Sequence, residues 1–76
     1  MRIRRETKGR GGKAVTVISG IPEHPDTLKK ICKQLKQGCG VGGAVKSDTL
    51  EIQGDQRDTC LEHLKKMGYE VKLSGG

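Results

Sequence analysis

Glycine divides this chain before any other residue shapes it. Twelve of the 76 residues are Gly, and they cluster at 9–12 and 38–43, with a pair at the end. Glycine weakens helix and strand interiors and favours turns and close backbone approach. The clusters therefore mark breaks where the backbone takes special geometry, not low complexity. A second break lies at Pro22 and Pro25. Seventy-six residues fit one domain, expected here over 1–76. A chain this short leaves no room for a deep substrate cavity with a catalytic shell around it.

Between these breaks, apolar spacing assigns the elements. Residues 2–8 are β-compatible and highly charged, with only Ile3 to anchor them. Ala14 to Ile21 is rich in Val, Ile and Thr and predicts a strand. Together they form a hairpin arm over about 2–21, whose loop is too long for a two-residue turn. Leu28, Ile31, Cys32 and Leu35 recur at helical spacing, with Asp26 or Thr27 as the cap and Gly38 as the stop. Val41–Lys46 predicts a strand, Ser47-Asp48-Thr49 its turn, and Leu50 and Ile52 the inward positions of the next strand. A second helix over 56–67 places Cys60, Leu61, Leu64 and Met67 inward. Tyr69, Val71 and Leu73 alternate with Glu70 and Lys72 as a last strand. The order β-β-α-β-β-α-β predicts an α+β fold: a two-layer sandwich with both helices on one face of a mostly antiparallel sheet.

Charge is distributed as unevenly as glycine. Of a net +6, the first thirteen residues supply most: Arg2, Arg4, Arg5, Lys8, Arg10 and Lys13 face a single acid, Glu6. A positive end on a nearly neutral body favours a polyanion, through counterion release from phosphates. The loop Gly9-Arg10-Gly11-Gly12-Lys13 is its peak, since glycine lets backbone approach phosphate closely while Arg10 and Lys13 supply charge-assisted bonds. Lys29, Lys33 and Lys36 share the face of the first helix opposite its apolar stripe, beside Lys30, and no acid occurs between Asp26 and Asp48. They form a second candidate patch, although a charged outer face is what any exposed helix shows. With no Phe or Trp and one Tyr, base stacking on a sheet platform is excluded. Contacts to nucleic acid must come from Arg, Lys, backbone amides and shape.

Other chemistries find little support. Gly38-Cys39-Gly40-Val41-Gly42-Gly43 matches the spacing of a dinucleotide fingerprint, but it follows a helix and opens a strand, the reverse of what that site needs. Cys32, Cys39, Cys60, His24 and His63 contain no C-x-x-C pair, and Cys32 and Cys60 fall on apolar stripes, as buried small hydrophobes do. A Cys60–His63 dyad has no orienting third group. Asp55 and Asp58 suit a helix start. No catalytic residue, metal or cofactor is expected. Three cysteines without a signal peptide predict free thiols in a reducing compartment. No run of about 18 apolar residues occurs, so no membrane helix is expected.

The run Lys8-Gly9-Arg10-Gly11-Gly12-Lys13, then Val15-Thr16, Gly20, Cys39-Gly40, Gly42-Gly43-Ala44-Val45-Lys46, Ile52-Gln53-Gly54-Asp55 and Arg57 resembles the Sui-type family. Its members are eukaryotic and archaeal translation initiation factor one and bacterial YciH-like relatives. The ending Val71-Lys72-Leu73-Ser74-Gly75-Gly76 resembles the bacterial branch. The resemblance implies that family's two-layer α/β sandwich and binding to rRNA of the small ribosomal subunit near the P site. It also implies a role in start-codon selection, in a cytoplasmic monomer. The rRNA-facing parts would be the hairpin, with Arg4, Arg5, Lys8, Arg10 and Lys13, and the first helix, with Lys29, Lys33 and Lys36. The turn Ser47-Asp48-Thr49 would lie toward initiator tRNA, with other initiation factors as further partners. Ile52-Gln53-Gly54-Asp55 reads as structural, finishing a strand and starting a helix. The N-terminal extension that many members carry is not in these 76 residues, and bacteria have another factor with a related discriminating role. In a bacterial source, an accessory or stress-related modulator of translation is therefore expected over an essential factor. Two other readings stay open: a general RNA-binding module, and a protein-interaction domain of a larger translation factor.

Overall fold

The computed structural model describes residues 1–8 and 12–73. Seven elements follow in the expected order: β1 (Arg2–Lys8), β2 (Lys13–Ser19), α1 (Pro25–Cys39), β3 (Gly43–Lys46), β4 (Thr49–Gln53), α2 (Arg57–Lys66) and β5 (Lys72–Leu73). The strands form one sheet ordered β3-β4-β2-β1-β5. β1 with β2, β2 with β4 and β3 with β4 are antiparallel; β1 with β5 is parallel. Both helices cover one face, α1 over β3 and β4, α2 over β1 and β5, and they touch each other. This is the α+β sandwich the spacing predicted.

The core lies between these layers. Cross-strand partners share a face, so Ile3, Ile18 and Leu50 form one inward row, flanked by Val45. Arg5, Thr16, Ile52 and Gly43 form the next. Leu28, Ile31, Cys32 and Leu35 of α1, with Cys60 and Leu64 of α2, close over them. The Thr16 hydroxyl, fully buried, donates to the Gly54 carbonyl and accepts from the Gln56 N–H, both at 2.8 Å. One side chain thereby ties β2 to the turn that starts α2. Ile52-Gln53-Gly54-Asp55 is thus the joint between β4 and α2, in keeping with its structural reading.

Several boundaries differ from the sequence expectation, each for a local reason. The N-cap of α1 is His24, not Asp26 or Thr27, because Pro25 takes the first helical position, where its missing N–H costs nothing. The helix runs through Gly38 and ends at Cys39, where Gly40 turns left-handed at φ 69° and bonds back to the Lys36 carbonyl. Gly38 serves instead as a contact: a Cβ there would collide with the His63 ring of α2. β2 stops at Ser19, before Gly20 and Ile21. β3 starts at Gly43, not Val41, and has no room for a side chain there, since a Cβ would lie 2.6 Å from the Glu51 carbonyl oxygen. The last strand is only Lys72–Leu73, and Leu73 is 48% exposed rather than inward. Among the described residues β5 is the edge of the sheet beyond β1, and α2 reaches it.

Candidate nucleic-acid interface

The charged residues of the hairpin arise from strand alternation, which separates neighbours. β1 and β2 stay in register from Arg2 opposite Ser19 to Lys8 opposite Lys13. Arg5 therefore lies on the helix side, in the row of Thr16, and Arg4 on the open side, in the row of Val17 and Glu51. The two arginines grouped by sequence lie on opposite faces of the sheet. Arg4 pairs with Glu6 on its own face, at 3.0 Å. Lys13 is exposed. Arg10 lies outside the described residues, as do Gly9, Gly11 and the side chain of Lys8.

Chain direction brings further groups to the end of the sheet that carries Lys13, which the alternation puts on the open face, opposite Arg5. β3 begins and β4 ends at the hairpin-tip end of the sheet, because Gly43 pairs with Ile52 and Gln53 with Val15. The C-terminus of α1 and the N-terminus of α2 lead into and out of those strands, so they share that end. Lys36 and Arg57 are brought there with Lys13 and Arg5. Arg57 reaches Asp55 twice, Nε to Oδ1 at 2.8 Å and Nη2 to Oδ2 at 3.1 Å, a two-bond fork. That fork, with Arg5 adding a little, holds the Asp55 carboxyl below its ordinary range, and the Asp55 carboxylate in turn raises the Arg57 guanidinium above its own. Arg57 was not among the candidates; the Asp-x-Arg spacing ahead of a helix was the available signal. An open depression of about 510 Å³, lined by Lys13, Ala14, Val15, Gln53 and Gly54, lies beside this cluster.

The lysines of α1 lie on its outer side and toward one flank. At about 100° per residue, Lys36 is roughly a quarter turn from the core stripe, Lys29 somewhat more, and Lys33 close to opposite it. Two contacts fix the direction. Gly38 faces α2 through His63, while Lys36, half-buried, has its Cγ 3.3 Å from where a Gly43 Cβ would stand. The lysine stripe therefore flanks edge strand β3, away from α2, with Lys29 and Lys33 exposed.

Ser47-Asp48-Thr49 falls at the other end of the sheet. Lys46 pairs with Thr49, leaving Ser47 and Asp48 as a two-residue turn. Ser47 has φ 54°, the positive value such hairpin turns demand, and the Thr49 hydroxyl bonds the Lys46 carbonyl at 2.8 Å. The length of β2, roughly 20 Å, separates this turn from the basic tip. Among the described residues no three metal-ligating side chains come together, and no helix is long and apolar enough to cross a membrane.

Comparison with known proteins accords with this architecture. The family model for translation initiation factor SUI1 matches residues 1–70. The uncharacterized protein YciH of Salmonella typhimurium is 49% identical over 76 residues, the whole of this chain and 70% of that protein. An uncharacterized protein of Haemophilus influenzae is 47% identical over the same span, 72% of its length. The translation factor SUI1 homolog of Methanocaldococcus jannaschii is 46% identical over 63 residues, 83% of this chain and 61% of that protein. With the fold, the hairpin and the strand–helix joint in place, the chain belongs to the SUI1 family of translation initiation factors.

Proposed function

We propose that this chain binds the small ribosomal subunit through its rRNA and modulates start-codon selection or initiation fidelity, without catalysing a reaction. The observation that carries this reading is the gathering of Lys13, Arg5, Lys36 and Arg57 at one end of a SUI1-family fold. Phosphate contacts by Arg4, Arg5, Lys8, Arg10 and Lys13 on the hairpin, and by Lys29, Lys33 and Lys36 on α1, would release counterions. Ser47, Asp48 and Thr49, at the far end, are the part proposed to lie toward initiator tRNA. The protein would work in the cytoplasm as a monomer, alongside other initiation factors. A second reading is an accessory or stress-related modulator, or a general RNA-binding module, with no essential initiation role. It draws on the relatives matched over the whole chain being uncharacterized bacterial proteins, whereas the archaeal factor aligns over 63 residues.

Co-sedimentation with purified small and large ribosomal subunits over a salt series tests both. The expected result is saturable binding to the small subunit alone, at one copy each. In Arg10→Ala/Lys13→Ala, the salt dependence should flatten by about two phosphate contacts. Equal binding to both subunits and to free RNA would leave the general module.

A further inference from the structure

Two of the three cysteines are neighbours in space. Cys39, the last residue of α1, and Cys60, in the first turn of α2, bring their sulfurs to 3.9 Å, although 21 positions separate them. Cys60 is fully buried, whereas Cys39 is half-buried. Both are free thiols, as is the buried Cys32. The close approach of the helices is built into the backbone. Gly38, beside Cys39, leaves the space that the His63 ring fills, three residues beyond Cys60. A cavity-filling role alone would ask only for small apolar side chains, not for two sulfurs in contact.

We propose that Cys39 and Cys60 form an oxidisable dithiol, which a hydroperoxide converts into a disulfide stapling α1 to α2. The Cys39 thiolate attacks a peroxide oxygen, the O–O bond breaks, and the departing oxygen takes up a proton to leave as water or an alcohol. Cys39 is then a sulfenic acid. The Cys60 sulfur attacks the Cys39 sulfur, the S–S bond forms, and the S–O bond breaks. The hydroxide leaves as water with the Cys60 proton. In sum, two thiols give up two electrons and two protons, and the hydroperoxide takes them up. The order of attack follows from burial: solvent exclusion, then the neighbouring sulfur, push the Cys60 thiol up, so it stays protonated while Cys39 meets the oxidant. Closing from 3.9 Å to a bond of about 2.05 Å asks the two sulfurs to approach by about 2 Å. The proposal does not depend on what the basic end binds.

The test is peptide mapping of the reduced chain after treatment with excess hydrogen peroxide, alkylation of the remaining thiols, and trypsin digestion without reductant. The three cysteines fall in separate tryptic peptides, Cys39 in 37–46, Cys60 in 58–65 and Cys32 in 31–33. The expected product is a monomer about 2 Da lighter, with 37–46 joined to 58–65 and Cys32 still alkylated. Its Tm should lie above that of the reduced chain by about 5 °C or more, since the new loop spans some 20 residues. Cys32→Ser should keep the linked peptide. Cys39→Ser should lose it; since that position is half-buried, its melting curve when reduced should resemble that of the unaltered chain. Cys39 oxidised to sulfinic acid with Cys60 still alkylated would overturn the proposal. So would a link to Cys32 or a disulfide dimer through Cys39.

Discussion

The two ends of the β1–β2 hairpin obey opposite rules, although they share one uninterrupted register. At the Arg2–Ser19 end, Ile3 stands opposite Ile18, and both are fully buried beneath α2 and beside Leu50. At the Lys8–Lys13 end, Thr7, Gly12 and Lys13 are exposed, and the ladder continues with little burial to support it. Between them runs the row of Arg5 and Thr16, where the last buried group is a hydroxyl serving two backbone partners. Stability is concentrated at one end of the hairpin, and charge is free to accumulate at the other, where desolvating it costs nothing. Stability and polyanion binding should therefore separate along the same two strands.

The largest effect is expected at the buried end. Ile18→Ala removes a fully buried side chain and should cost about 2–5 kcal/mol on chemical melting, as should Leu64→Ala in α2. A small loss at Ile18 would erase the distinction between the ends. Thr16→Val, at the border, keeps the shape but strands the Gly54 carbonyl and the Gln56 N–H. A loss of about 1–3 kcal/mol is expected, visible as a lowered denaturation midpoint with unchanged slope.

Alkaline pH probes the buried side without changing its shape. Burial raises the Cys32 and Cys60 thiols above their ordinary 9.0. The unfolded chain therefore releases these protons first. Their contribution is intact below pH 9 and declines above it, by about 1.4 kcal/mol per pH unit for each thiol, until the folded thiol also ionises. Melting from pH 8 upward should show this slope, and Cys32→Ala/Cys60→Ala should flatten it. The smallest effect on stability belongs to the basic tip. Arg10→Ala/Lys13→Ala should move the unfolding free energy by less than about 0.5 kcal/mol while weakening subunit binding. A marked loss of stability there would show that the loop supports the fold, and would confound the binding result.

Much of this was legible because it is local. The helical spacing of Leu28, Ile31, Cys32 and Leu35 and the alternation of Leu50 and Ile52 place these residues in the core. Charge concentration in the first thirteen residues marks the end to examine. The misjudged details are those that neighbours override. Proline displaced the cap of α1 from Asp26 or Thr27 to His24. Packing against His63 gave Gly38 a helical role. The final strand shortened because, after Val71, only Lys72 and Leu73 reach a partner, on β1.

By itself, then, the sequence determined the elements, their order, the apolar faces and the basic arm, because each depends on residues within a turn or two of one another. Only the tertiary structure decided the rest. It set Arg4 and Arg5 on opposite faces and turned the lysines of α1 toward β3. It carried Ser47–Thr49 to the end away from the basic tip, and it brought Cys39 and Cys60 into contact. Those outcomes depend on which strands pair and how two helices settle over them. Such contacts join residues far apart in the chain, and no local periodicity encodes the distance between them.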